Sequence, residues 1–359
     1  LQRLEHPKFR RFAAHETAWQ LAQPLCEGRT VHLALHGVAG CGLTAIARCL
    51  VDDLEQTLGE RYREIVSMCG ECSHAMGDAQ PYGPFQKALA HHFAIELLAA
   101  PESKLSDIDA ALGDVFESVV PFSGILFPPV GNSAGGATSA DEIVSSVAWM
   151  IRRICKTKPV VLFIDDVQWL DEASKTLLRH LLREFPVNGP AQVAIIVTSH
   201  EQTVLRKLGF AKSTRLEVPF PAREEQVQIL TDGIGLNNAA AEQIVNRMGS
   251  TIAAQGGLVW LQQIVATLAR ADYLVATEYG FDLRDGQWPR DGQIPEEIRD
   301  VLLEQLRRFP QYRTIIDCAA CACYAREFRG SIVAVALGIP RLELLRELDC
   351  SYRETRILY

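Results

Sequence analysis

With 359 residues, 48% of them hydrophobic, the chain can bury more than one compact unit, and its formal net charge of −8 argues against a broad nucleic-acid surface. No apolar run reaches bilayer length; the strongest, near Val119 to Val130, is broken by Pro121, Pro128 and Pro129. There is no signal peptide and no initiating methionine, so the expectation is a cytoplasmic protein, read here as a piece of something longer.

Residues 1–28 read as a helical arm around Ala18, Leu21 and Leu25. From 29 to 221 strands and helices alternate, as in an α/β domain with a parallel sheet. Strand candidates are 31–36, 64–69, 159–165, 192–198 and 214–218. The first runs into Gly37-Val38-Ala39-Gly40-Cys41-Gly42-Leu43-Thr44, a G-x-x-x-x-G-x-T loop followed by apolar residues at helical spacing (Leu43, Ile46, Ala47, Leu50, Val51, Leu54). Strand, glycine-rich turn and helix are the layout of a phosphate-binding loop, where backbone amides and the positive helix end converge on phosphate oxygens. Gly37, Gly40, Cys41, Gly42, Leu43, Thr44 and Ala45 are therefore the candidate nucleotide-binding residues. The position before Thr44 calls for a lysine that reaches the terminal phosphates; here it is Leu43. Taken alone, the segment also reads as a glycine-rich turn without a ligand.

The strand 159–165 is wholly apolar until Asp165 and Asp166. Such a strand suits the middle of a parallel sheet covered on both faces. At its carboxyl end Asp165 is placed to hold magnesium together with Thr44, and Asp166 to polarise a water. The plainer reading of this segment is a strand followed by an Asp-Asp helix cap. Residues 119–139, rich in Pro and Gly, read as an exposed loop. Residues 222–294 turn helical, with helices at Glu242 to Met248 and Leu258 to Leu268, then a hairpin from Tyr273 to Trp288 turning at Asp285-Gly286. Residues 295–359 are helical again. There Ile315, Ile316, Ala319, Ala320 and Cys323 form an apolar face, and Arg341 to Glu347 a solvated one. Cys69-x-x-Cys72-x-His74 and Cys318-x-x-Cys321-x-Cys323 have ligand-like spacing, but no second CxxC completes a four-ligand zinc site, so reduced, mostly buried thiols are expected. The adjacent His91 and His92 point to different helix faces and read as surface residues.

Asp165-Asp166-Val167-Gln168-Trp169-Leu170-Asp171-Glu172-Ala173-Ser174, with the leucine-rich Leu177 to Leu182 after it, resembles the Walker B region of the signal-transduction ATPases with numerous domains (STAND), an AAA+-like branch of the P-loop proteins. The resemblance extends from about residue 10 to the end. Phe12-Ala13-Ala14-His15-Glu16 lies where that family carries F-x-G-R-E. Cys72 through Pro81-Tyr82-Gly83-Pro84-Phe85 resembles its segment after the second strand. Ala194 to His200 resembles its sensor strand, and Leu216 to Phe220 the lead-in to its lid helices. Pro295 to Leu306 and Asp317 to Phe328 resemble the start of its winged-helix region. The resemblance implies a P-loop NTPase-like α/β domain (29–221), a helical lid with hairpin (222–294) and a truncated winged-helix region (295–359).

The chain departs from that family where the nucleotide would sit. The family's arginine in F-x-G-R-E is His15, the loop lysine is Leu43, the arginine closing the sensor strand is His200, and the G-N-P turn of the lid reads Gly256-Gly257-Leu258. The resemblance thus implies a nucleotide-binding regulatory switch, ATP or ADP with Mg, and weak or absent hydrolysis, with Asp166 and His200 as candidate catalytic residues. Partners implied are an effector domain outside this fragment, or proteins bound through the lid and winged-helix region; neither a membrane nor nucleic acid is implied. Two other readings stand beside it: a pseudo-ATPase scaffold that binds proteins but no nucleotide, and a slow genuine ATPase whose cation comes from elsewhere.

Overall fold

A computed structural model describes residues 13–62, 64–72, 81–92, 139–252, 257–270, 272–277, 280–284, 307, 309–321 and 330–355. Helix α1 (Ala13–Ala22) and a 3-10 turn (Gln23–Glu27) lead into β1 (Val31–His36). Then follow α2 (Leu43–Arg61), β2 (Val66–Glu71), α3 (Gly83–His92), α4 (Ala140–Ile154), β3 (Val160–Asp165) and α5 (Glu172–Glu184). β4 (Val193–Ser199), α6 (Gln202–Leu208) and β5 (Arg215–Glu217) complete the alternating region. The five strands form one parallel sheet in the order β2-β3-β4-β1-β5. This is the α/β sheet that the sequence predicts.

A parallel sheet needs cover on both faces, and β1, β3 and β4 are buried at every residue. Successive residues serve opposite faces. Val161 and Phe163 of β3, with Ala194 and Ile196 of β4, pack with α1 and α2. Leu162, Ile164, Ile195 and Val197 pack with α3, α4, α5 and α6 on the other side. α2 has no acidic cap; it holds its place by burying Leu50, Leu54 and Leu58 almost completely, each worth about 1.5–3 kcal/mol. α4 starts at a capping box, with Ser139 and Glu142 satisfying each other's backbone N–H groups. β2 begins two residues later than predicted, because its ladder with β3 runs from Val66↔Val160 to Glu71↔Asp165.

After β5 come α7 (Arg223–Gln228), a π-helical turn (Ile229–Ile234), α8 (Asn238–Ile252) and α9 (Leu258–Arg270). Their Leu230, Ile244, Leu261, Ile264 and Leu268 belong to the same apolar cluster as α2. A hairpin follows, β6 (Leu274–Thr277) with β7 (Gly280–Leu283). Its register closes at Thr277↔Gly280, so the chain reverses between those residues, and the Arg284 N–H returns to the Tyr273 carbonyl at 2.8 Å. The expected turn at Asp285-Gly286 is therefore wrong: pairing Leu274 with Leu283 uses up the strand before that dipeptide, which lies outside the described residues. The expected loop over 119–139, apart from Ser139 capping α4, and the segment Pro295 to Leu306 lie outside them too.

α10 (Pro310–Cys321), α11 (Gly330–Leu337) and α12 (Arg341–Thr355) share a small cluster of their own, Ala319, Val333, Ala334 and Leu344. Ile316 and Ala319 are buried as the apolar face predicts, whereas Ala320 is exposed; Arg341, Glu343, Arg346 and Glu347 are exposed as expected. Among the described residues no group of His, Cys, Asp or Glu could hold a metal ion by itself, and no helix is long and apolar enough to cross a membrane. The described cysteines are free thiols, but only Cys41 and Cys72 are fully buried, and Cys321 and Cys350 are exposed. The thiols are thus less buried than composition suggested.

Candidate functional site

The site forms where β1 meets α2, at the carboxyl edge of the sheet. Gly40 (φ 81°) and Gly42 (φ 94°) take the left-handed backbone that side chains avoid, and between them the Cys41 N–H closes back on the Val38 carbonyl at 3.2 Å. α2 starts directly at Leu43, with the Gly42 carbonyl accepting from the Ile46 N–H at 2.9 Å. The Cys41 thiol is buried, and burial pushes its pKa up to about 11, so it stays neutral. Leu43 is 3% exposed and belongs to the apolar cluster of α2, the sheet and α9. Ala45 is partly buried against the same cluster.

Opposite the loop, β3 delivers Asp165, 2% exposed, with Thr44 Oγ1 donating to its Oδ1 at 3.2 Å. The buried hydroxyl of Thr198 on β4 donates to the same oxygen. Burial lifts the Asp165 pKa from 3.8 to about 6 against the pull of the Thr198 hydrogen bond; the Asp166 charge lifts it further, and Thr44 and Arg48 oppose. Asp166 sits in the left-handed region (φ 57°, ψ 48°), its N–H donating to Thr198 Oγ1 at 2.8 Å. Its Oδ1 accepts from Gln168 Nε2 at 2.8 Å, while Gln168 Oε1 accepts from the His200 N–H at 3.2 Å.

His200 lies 3.7 Å from Asp166 Oδ1 through Nε2, and 3.1 Å from the Gly37 carbonyl through Nδ1. A carbonyl only accepts, so Nδ1 carries the proton in that contact. The result is a loop of contacts that leaves the glycine turn at Thr44, passes through Asp165, Thr198, Asp166 and Gln168, and returns at Gly37 through His200. Thr198 and Gln168 were not singled out from sequence. The available signals were a hydroxyl in the otherwise apolar Val193-Ala194-Ile195-Ile196-Val197, and an amide two residues after Asp166.

The helical segment after β5 also reaches the glycine turn. The Leu258 N–H at the start of α9 donates to the Gly40 carbonyl at 2.8 Å. A Cβ on Gly257 would stand 2.5 Å from that carbonyl oxygen, so only glycine permits the approach. This is where the G-N-P turn was expected and Gly257-Leu258 stands instead. His15, which the resemblance put at a nucleotide-facing position, is buried between α1 and α2 with Nε2 3.2 Å from Asp53 Oδ2. Asp53 lies ten residues past Leu43, about 15 Å down the helix, so His15 belongs to helix packing.

Thr44 and Asp165 offer a hydroxyl and a carboxylate oxygen side by side, hard donors that fit a magnesium ion keeping most of its waters. What the loop lacks is a cation at position 43, the position that reaches the β- and γ-phosphates. The family model described as an AAA ATPase domain matches residues 17–196. Among solved structures, the chain is similar to the Aeropyrum pernix ORC1 protein in complex with DNA (13% identity, 94% of this chain and 82% of that one, TM-score 0.46). It is also similar to the Aeropyrum pernix ORC2 protein in its ADPNP-ADP complexes (13%, 97% and 81%, TM-score 0.44). A third is a Walker-type ATPase of Pyrococcus abyssi (15%, 98% and 92%, TM-score 0.39). No curated protein matches the chain.

Proposed function

The chain belongs to the AAA ATPase domain family, and from that premise we propose that it is a nucleotide-binding regulatory switch of STAND type within a larger signalling protein, with weak or no ATP hydrolysis. The observation that carries this reading is the Thr44–Asp165 contact at 3.2 Å beside a glycine turn whose helix starts at Leu43. That is a magnesium-ready pair beside a helix N-terminus. Magnesium, when bound, supplies charge that holds the β- and γ-phosphate oxygens. Thr44 and Asp165 would hold it, Thr198 donates to the Asp165 carboxylate, and Gln168 and His200 lie against the Asp166 carboxylate. Residues 29–221 would be the nucleotide domain, 222–294 the lid and 295–359 the start of a winged helix. A cytoplasmic setting follows from the same reading. Ile332, Val335 and Leu345, exposed on α11 and α12, support an effector or partner protein docking on that last segment.

The pseudo-ATPase scaffold is the second reading. It is favoured by the buried Leu43 and by α9 seated on the Gly40 carbonyl. Calorimetric titration with ATPγS and ADP, with and without Mg2+, separates the two. The switch reading expects magnesium-dependent binding, and turnover below about 0.1 per second, since typical rates fall by at least ~10^3 without a stabilising cation. Absence of binding at millimolar nucleotide would establish the scaffold. Turnover near about one per second, lost in Asp166→Asn, would overturn the assignment of weak hydrolysis.

A further inference from the structure

α2 sets two side chains, one turn apart, against two neighbouring carboxylates. Thr44 meets Asp165, and four residues on Arg48 Nη2 lies 3.9 Å from Glu71 Oε2. Residues four apart share a helix face. Glu71 and Asp165 are register partners at the carboxyl ends of β2 and β3. They also face the same side of the sheet: Cys69, two residues before Glu71, and Phe163, two before Asp165, both pack in the cluster that contains α2. The guanidinium is thereby carried to the strand-end level, beside the Thr44–Asp165 pair.

Among the described residues, Arg48 has no tighter ion pair than the one with Glu71. The contact with Glu71 is at the long end of ion-pair range, and the two side chains are 48% and 61% exposed, so solvent screens the attraction. Long side chains on a helix lean toward its N-terminus, and for Arg48 that is the direction of the glycine turn. The guanidinium fork matches phosphate oxygens in a way a carboxylate 3.9 Å away does not exploit.

We propose that Arg48 is the cation that stands in for the missing loop lysine, leaving Glu71 to bind the terminal phosphate of a nucleoside triphosphate. The inference rests on the nucleotide-binding reading above. A diphosphate lacks the group Arg48 would engage, so Arg48 stays with Glu71 and the two nucleotide states differ in the position of one side chain at the edge of β2. Arg48 and Glu71 thus set the preference for triphosphate over diphosphate.

The test is calorimetric titration of the whole chain with ATPγS and ADP in Mg2+, for wild type, Arg48→Gln and Glu71→Gln. Arg48→Gln is expected to weaken ATPγS about tenfold or more, the loss of one charge-assisted contact, and to leave ADP within about twofold. Glu71→Gln, which frees the guanidinium, should tighten ATPγS, and Leu43→Lys should restore it in the Arg48→Gln background. Arg48→Lys keeps the charge without the fork and should fall between wild type and Arg48→Gln; it also serves if the glutamine variant melts early. If wild type binds ATPγS and Arg48→Gln binds it equally well, or loses both ligands in equal proportion, the inference is overturned and nucleotide binding stands. If wild type binds neither ligand, the nucleotide-binding reading itself fails and Arg48 falls with it.

Discussion

On the proposed reading Leu43 is the residue on which hydrolysis turns, and its replacement should have two separable consequences. A lysine there can keep its stem in the apolar cluster and carry its ammonium to the loop, adding one charge-assisted contact. Leu43→Lys should therefore tighten ATPγS about tenfold while lowering unfolding free energy by about 1–3 kcal/mol, because 3% exposure leaves the stem to disturb a packed site. Titration and urea unfolding read the two effects; unchanged affinity would mean the loop is not shaped around phosphate. Asp165 yields a pH dependence. Its folded pKa is raised from 3.8 to about 6 by burial first. Folding therefore binds the proton more tightly, and the associated stability is present below about pH 4 and lost as pH rises through about 6. At 1.36 kcal/mol per pH unit the loss approaches about 3 kcal/mol. Without magnesium, the stability of wild type relative to Asp165→Asn should fall by that order between pH 4 and 7; parallel pH profiles would remove the argument. The placing of Thr44 beside Asp165 was legible because each ends a contiguous motif. The contacts of Thr198 and Arg48, and that of Gln168 with His200, were not, because they depend on which strand lies beside which.

At the scale of elements, the strands were the most legible part, since buried apolar runs of five or six residues bounded by polar ones have few other uses. The exception is instructive. Shifting β2 from 64–69 to Val66–Glu71 brings Glu71 level with Asp165, and no pattern within β2 itself dictates that shift. The contact between α9 and the glycine turn was not legible either: the resemblance put Gly257 in the lid turn, but nothing within that segment points to the Gly40 carbonyl. Gly257→Ala tests that contact. The new Cβ meets the Gly40 carbonyl oxygen at 2.5 Å and its Cα at 2.8 Å, with φ at +69°. Both contacts are backbone, so α9 must move, at a cost of about 1–3 kcal/mol. Hydrogen exchange at the Leu258 amide should speed up by the corresponding factor, because its acceptor is lost. Protection equal to wild type would show that the helix start is held by its apolar side chains rather than by the loop.

For the whole molecule, the distribution of the core predicts which parts open together. Cooperative units follow contiguous buried clusters. Leu230, Ile244, Leu261, Ile264 and Leu268 of the segment after β5 share one cluster with Leu33 and Leu35 of β1 and Leu50 and Leu54 of α2. That segment therefore has little apolar packing that survives without the sheet. Among the described residues, the cluster that α10, α11 and α12 share holds Ala319, Val333, Ala334 and Leu344, with Tyr312 and Ile316 buried on α10 besides. A cluster this small, at about 1.5–3 kcal/mol or less per side chain, offsets the ordering of three helices far less than the large cluster around the sheet does for α8 and α9. Native-state hydrogen exchange should accordingly show α8 and α9 opening with a free energy close to that of β1 and β4, and α10 to α12 opening several kcal/mol more easily. A partner docked on α10 to α12, as proposed above, would raise the protection of those helices alone. Slow exchange in α10 to α12 of this chain by itself, matched to β1, would show that the small cluster is not an independent unit. Rapid exchange in α8 and α9 with β1 still protected would show that the segment lifts off the sheet as a separate body, and the shared cluster would then have no bearing on how it moves.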